Sequence, residues 1–164
     1  MDPIRVAILT VSDKGYAGVR ADQSGPHIAE CLKEVAQIHS LSIVPDERDQ
    51  IAQALIRLCE SGEVDMVLTT GGTGFTPRDV TPEATLDVVE RLVPGIPEAI
   101  RAYSMQFTNR AMLSRGTAGI RKQTLIVNLP GSPKAVGECI DVLRPVLDHI
   151  ADTLRGDTYE CART

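Results

Sequence analysis

Short runs of β-branched and other apolar residues alternate along this chain with segments that open on a helix-start signal. That alternation constrains the fold more than any other feature. Ile4–Val11 (IRVAILTV) is apolar almost throughout, as in a strand covered on both faces. Gln37–Pro45, Asp65–Thr70 (DMVLTT) and Thr124–Leu129 read as further strands. Ser24-Gly25-Pro26 opens a helix whose buried stripe is Ile28, Cys31, Leu32 and Val35, with Pro26 in the first turn where its missing N–H costs nothing. Asp46 reads as the N-cap of a second helix, with Ile51, Leu55, Leu58 and Cys59 inward and Gly62 at its end. Thr81-Pro82-Glu83 starts a third, predicted to turn Leu86, Val89 and Leu92–Val93 to one side. Pro94-Gly95 breaks it, and Pro97 begins another running to about Phe107. Ser132-Pro133 repeats the cap-plus-proline start before apolar positions at helical spacing from Val136 to Leu154, and Pro145 is expected to kink or split that last helix. Strands alternating with helices predict an α/β domain, a mostly parallel sheet covered on both faces. The domain is expected over residues 1–156, followed by a polar, frayed tail at 157–164.

The bulk properties exclude several classes of function. At 164 residues, 43% of them hydrophobic, the chain suits one compact core. A net charge of −5 and five aromatic residues, none of them Trp, argue against a nucleic-acid binder, which needs a basic face and stacking platforms. Met1-Asp2-Pro3 leads straight into a strand-like run with no signal-peptide pattern, and no apolar run approaches the roughly 18 residues of a membrane span. Cys31, Cys59, Cys139 and Cys161 are widely spaced with no C-x-x-C pair; three sit among apolar helix positions and read as small core residues of a reducing compartment rather than as zinc ligands. A cytoplasmic protein is expected.

In open parallel sheets ligands bind beyond the carboxyl ends of the strands. The loops leaving at that edge (Ser12–Gly15, Pro45–Glu47, Thr69–Thr81 and Asn128–Pro133) gather glycines, hydroxyls and three aspartates. Within Thr70–Thr76, consecutive glycines let backbone N–H groups approach an anion without interference from a Cβ. No G-K-[ST] follows, so the loop is not a Walker A, and the third glycine of the dinucleotide fingerprint is absent. A bare G-G-x-G also suits a plain strand-to-helix turn; the adjoining Arg78-Asp79 pair shifts the reading toward phosphate. Asp79 suits either the N-terminus of the next helix or a Mg²⁺ ion, which takes one or two carboxylates plus substrate phosphates. Asp46 carries the same two readings, and Asp13 could simply close an Asx-turn. Among Arg78, Arg115, Arg121, Lys122 and Lys134, Arg78 stands foremost as a phosphate partner because it adjoins the loop. His27, His39 and His149 are isolated, and neither H-E-x-x-H nor G-x-S-x-G occurs. Chemistry by positioning and charge neutralisation, as in phosphoryl or nucleotidyl transfer, fits better than an activated side-chain nucleophile.

At these residues the chain resembles the molybdopterin adenylyltransferases of molybdenum-cofactor synthesis. The resemblance rests on Thr10–Asp13, Asp22–Pro26, Val44–Glu47, Leu68–Leu86 (LTTGGTGFTPRDVTPEATL), Ala111–Arg121 (AMLSRGTAGIR) and Asn128–Pro133 (NLPGSP), spread over nearly the whole chain. It implies a three-layer α/β/α sandwich, usually a homotrimer, that transfers AMP from Mg-ATP to molybdopterin and releases pyrophosphate. It also implies a separate molybdenum-insertion protein as the next partner. By motif, Asp46 and Asp79 match the family's essential, metal-associated carboxylates. Gly71, Gly72, Thr73 and Gly74, with Thr76 and Arg78, match its phosphate-binding turn. Ser12, Asp13, Ser114, Arg115, Pro130, Gly131 and Ser132 match positions lining its nucleotide and pterin pockets. The rival readings are a non-catalytic molybdopterin carrier on the same fold, a sister branch of the family, and a nicotinamide-dependent dehydrogenase, which lacks its fingerprint. The catalytic reading requires Asp46 and Asp79 to share one cavity at the sheet's carboxyl rim.

Overall fold

The computed structural model describes residues 2–156, so the tail at 157–164 lies outside the described residues. Among these residues the strands are β1 (Ile4–Val11), β2 (Ala36–Val44), β3 (Met66–Thr70), β4 (Arg91–Leu92), β5 (Ala118–Arg121) and β6 (Thr124–Leu129). They form one sheet in the order β2-β1-β3-β6-β5-β4. β2, β1, β3 and β6 are parallel; β5 and β4 finish one edge antiparallel. The chain steps from β1 outward to β2, then returns to place β3 on the other side of β1. That reversal opens a crevice beyond the carboxyl ends of β1 and β3.

Seven helices lie among the described residues: α1 (Asp13–Tyr16), α2 (Ser24–Leu32), α3 (Arg48–Glu60), α4 (Thr81–Val88), α5 (Gly95–Ser104), α6 (Pro133–Leu143) and α7 (Leu147–Arg155). The pleat of β1 shows how they form two outer layers. Ile4, Val6 and Ile8 join one core with Ile28 and Leu32 of α2, Val136 and Ile140 of α6 and Leu147 of α7. Ala7, Leu9 and Val11 join the other with Ile51 and Leu55 of α3 and Ala84 and Val88 of α4. Each fully buried Leu, Ile or Val contributes roughly 1.5–3 kcal/mol, so β1 is committed to both layers. The molecule is therefore the three-layer α/β/α sandwich that the resemblance implies. Pro145 splits the last helix, with a 3-10 turn at Arg144–Val146 between α6 and α7.

Three stretches differ from the sequence expectation. The third helix stops at Val88 and Val89 is extended, leaving Leu86 50% and Leu92 59% exposed rather than inward. The inner face of α4 is built from Thr81, Pro82, Ala84, Thr85 and Val88; its two hydroxyls occupy helical spacing but carry no apolar signal. β5 has no expectation behind it because its sequence, Ala-Gly-Ile-Arg, is weakly strand-like. Gly119 is required there, since an added Cβ would lie 2.8 Å from Val89 and from the Arg91 carbonyl. The fourth predicted helix also begins two residues early, at Gly95 instead of Pro97.

Candidate active site at the carboxyl edge of the sheet

Beyond β3 the backbone enters the left-handed region at Gly71 (φ 101°) and Gly72 (φ 69°), conformations that favour glycine. Space demands glycine as well: a Cβ on Gly71 would overlap the Val11 carbonyl, and one on Gly72 would overlap the Thr81 hydroxyl. The Gly71 N–H donates to the Leu129 carbonyl at 3.1 Å. The Thr81 hydroxyl donates to the Gly71 carbonyl at 2.9 Å. Thr70 Oγ1 donates to the Pro130 carbonyl at 2.7 Å and Ser24 Oγ to the Gly131 carbonyl at 2.6 Å, tying three loops together. The N–H groups of Gly72, Thr73 and Gly74 find no acceptor among the described residues, the arrangement of a backbone nest that takes an anion.

Asp46 and Asp79 line one cavity of about 460 Å³, together with Thr10, Ser12, Gly71, Gly72 and Gly131. Asp46 is not the helix cap. Glu47 occupies that position without a side-chain cap bond, and the Asp46 carboxylate turns to Asp13. The two aspartates exchange bonds: the Asp13 N–H donates to Asp46 Oδ2 at 2.8 Å, and the Asp46 N–H donates to Asp13 Oδ1 at 3.0 Å. This clasp joins the loops after β1 and β2. Burial pushes the Asp46 carboxyl above its ordinary pKa despite the bond from Asp13, and the charges of Asp13 and Asp79 push the same way. Asp79 Oδ2 accepts the N–H and hydroxyl of Thr76 at 2.9 and 2.8 Å. Oδ1 of each carboxylate accepts no hydrogen bond among the described residues. Two open carboxylate oxygens at one cavity fit a hard divalent cation that completes its shell with phosphate and water oxygens.

The arginines are placed differently from what spacing suggests. Arg78 does not reach toward the glycine loop: its guanidinium forks onto Asp13 at 2.9 and 3.1 Å and reaches Glu47 at 2.8 Å, at the rim. The bonds from Arg78 hold the Asp13 carboxyl below its usual range. Arg115 lines neither this cavity nor the next. Its N–H donates to the Thr73 carbonyl at 3.0 Å, Nε to the Gly74 carbonyl at 2.8 Å and Nη2 to the Asp79 carbonyl at 2.7 Å. It completes an ion pair with Glu83 in the first turn of α4. One guanidinium therefore staples both ends of segment 74–79, which carries Asp79. Arg121 and Lys122 pair with Glu60, near the amino ends of the strands.

A second cavity, of about 420 Å³, opens on the other flank of the loop and is largely apolar. Phe75, Ile100, Leu113 and Pro130 line it with Thr73, Gly74 and Ser114. Ser132 instead caps α6 through the Ala135 N–H. Thr76 serves Asp79, and Asp13 serves the clasp. Spacing gave no reason to single out Glu83, which reads as an ordinary helix-start acid, or Arg20, which lines the first cavity. Asp22 was signalled only as part of a motif; it accepts the Ser24 and Gly25 N–H groups at the start of α2 and the Thr10 hydroxyl at 2.7 Å.

Comparison with known proteins places this geometry in context. A family model described as a probable molybdopterin binding domain matches residues 7–149. The chain is 42% identical over 161 residues to the molybdopterin adenylyltransferase of Helicobacter pylori strain J99, covering 96% of this chain and 91% of that one. It is 40% identical over 144 residues to the protein of the same name from Escherichia coli K12, covering 86% and 74%. Among solved structures it is similar to the molybdopterin biosynthesis enzyme MoaB of Thermus thermophilus. The TM-score is 0.88 and the identity 44%, over 93% of this chain and 97% of that one.

Proposed function

Because the chain belongs to the family of probable molybdopterin binding domains, we propose that it is a molybdopterin adenylyltransferase, transferring AMP from ATP to the terminal phosphate of molybdopterin with release of pyrophosphate. The observation that carries this reading is the meeting of Asp46, Asp79 and the glycine-rich turn around one cavity. A carrier of the same fold has no need of a half-buried carboxylate held above its ordinary pKa beside a second one.

The attacking group is a phosphate oxygen of molybdopterin, already anionic at neutral pH. It forms a bond to the α-phosphorus of ATP as the bond to the bridging oxygen breaks, and pyrophosphate leaves with the electron pair. No proton has to move, so no general base is needed, in keeping with a cavity lining that contains no histidine. The obstacle is repulsion between two polyanions. The free N–H groups of Gly72, Thr73 and Gly74 oppose it with fixed dipoles that need no reorganisation. Asp46 and Asp79 would hold Mg²⁺, which when bound neutralises phosphate charge and polarises the reacting phosphoryl group. Thr76 and the Arg115 staple keep the Asp79 carboxylate facing the cavity. The polar cavity receives phosphates, and the apolar one beside it suits the flat ring system of a substrate.

The same reading extends to a cytoplasmic homotrimer that passes adenylylated molybdopterin to a separate molybdenum-insertion protein. The decisive assay mixes purified protein, molybdopterin and Mg-ATP and follows pyrophosphate. Release above background is expected for the wild type. Asp79→Asn should keep the fold and molybdopterin binding while losing pyrophosphate release. A wild type that binds molybdopterin yet yields no pyrophosphate would instead be a carrier, and full turnover in Asp79→Asn would remove Asp79 from the chemistry.

A further inference from the structure

The polar cavity is short of positive charge. Its ionisable side chains are Asp22, Asp46, Asp79 and a single basic one, Arg20. Arg78, the arginine that adjoins the glycine loop, is engaged at the rim by Asp13 and Glu47. The Arg20 side chain has neither a carboxylate nor a carbonyl partner among the described residues, although ten arginine or lysine ion pairs are formed elsewhere among them. Arg20 is exposed and lines the same cavity as three aspartates, yet its side chain pairs with none of them.

Its backbone is well held. The Val19 and Arg20 N–H groups both donate to the Lys14 carbonyl, at 3.1 and 3.3 Å, folding the loop back over α1. Two residues later Asp22 is fixed by Thr10, Ser24 and Gly25. Ala21, Asp22, Gln23 and Ser24 line the same cavity. The loop thus presents Arg20 at the mouth from an anchored base, and the planar five-donor fork suits phosphate oxygens.

We propose that Arg20 is a phosphate-binding residue of this cavity, the cation that meets a substrate's phosphate group there. The proposal rests on the adenylyltransferase reading for its substrates, though not for its chemistry. The ligand is a phosphate oxyanion from either the nucleotide or the terminal phosphate of molybdopterin.

The test compares wild type, Arg20→Gln and Arg20→Lys in steady-state kinetics with each substrate varied, together with calorimetric titration of inorganic pyrophosphate and a thermal melt. Arg20→Gln should raise one KM about tenfold, the worth of one partly exposed charge-assisted hydrogen bond. The larger share of the loss should fall in KM rather than kcat, with an unchanged melting midpoint and partial recovery in Arg20→Lys. A higher KM for ATP with weaker pyrophosphate binding assigns the contact to the nucleotide; a higher KM for molybdopterin alone assigns it to the pterin's phosphate. Both KM values unchanged in an active enzyme would overturn the proposal. If the wild type releases no pyrophosphate, the adenylyltransferase reading falls and the titration decides for Arg20: pyrophosphate must bind the wild type more tightly than Arg20→Gln, or the proposal falls too.

Discussion

At the end of the sheet opposite the cavity, a buried carboxylate ties the start of the fold to its finish, and acid should undo that tie in a measurable way. Asp65, only 3% exposed, accepts the Arg5 N–H at 2.8 Å, Arg5 Nε at 3.1 Å, Arg5 Nη2 at 2.8 Å and Arg155 Nη2 at 2.6 Å. Burial alone would push this carboxyl up, but the bonds from Arg5 and Arg155 outweigh it and bring the pKa from 3.8 to about 2. A carboxyl whose pKa is depressed on folding contributes stability that is complete above the unfolded-state value and lost as pH falls through the folded one. Between 3.8 and about 2, at about 1.4 kcal/mol per pKa unit, that contribution is roughly 2 kcal/mol. Asp65→Asn should remove it and lower the melting midpoint at pH 7 by about 4–8 °C. Urea unfolding of both proteins from pH 7 down to pH 2 is the assay. Asp13, Glu60, Glu83 and Asp87 are also held low by arginine or lysine partners, so the informative quantity is the gap between the curves. It should hold its full width from neutral pH down to about the unfolded value of 3.8 and then narrow as pH falls toward about 2. A gap constant with pH would show that Asp65 acts through packing or neutral hydrogen bonds, and the reasoning would fail.

Three further substitutions bear on the site. Arg115→Lys cannot reach the Gly74 and Asp79 carbonyls with one rigid fork; kcat should fall about 10- to 100-fold with circular dichroism unchanged, the scale of a 1 Å misplacement, and Glu83→Gln should fall in the same direction by less. Wild-type kcat in Arg115→Lys would mean that the loop holds its shape without the staple. Burial raises the Asp46 pKa on folding, so its ionised form costs stability at neutral pH and that cost disappears as pH falls through the raised value. Asp46→Asn should therefore unfold at higher temperature than wild type at pH 7, lose the advantage in acid, and release no pyrophosphate. An Asp46→Asn protein less stable than wild type at pH 7 would show that the clasp with Asp13 outweighs the burial.

What was legible in the sequence was what repeats with a period or depends on backbone stereochemistry. β1, β3 and β6 are apolar on both faces because both faces are covered, and the two-glycine turn after β3 announces its own left-handed backbone. The Pro145 split follows from a missing N–H. Less legible were elements whose partners lie far along the chain. Of the two inward hydroxyls of α4, Thr81 donates to the Gly71 carbonyl at 2.9 Å and Thr85 accepts the Asn128 side-chain amide at 2.9 Å; without those partners in view, Leu86 looks like the better inward residue. β5 is hidden because its close neighbours demand glycine at 119. Asp46 makes a good cap on paper, and only the fold reveals Asp13 facing it. The same holds for the arginines: proximity in sequence favoured Arg78, whereas charge pairing across loops engages Arg78 and leaves Arg20 open.

Arg155 does more than neutralise Asp65. It also donates to the carbonyls of Asp2 and Pro3, at 3.0 and 3.2 Å, so the two ends of the described chain meet at a single pole. The eight residues of β1 separate that pole from the cavity mouth by about 25 Å. Both ends of the described chain thus lie on the side away from the chemistry. A short bridge between them with new termini cut elsewhere, a tandem copy, or a fused protein attached at that pole would leave the entrance to the cavity clear.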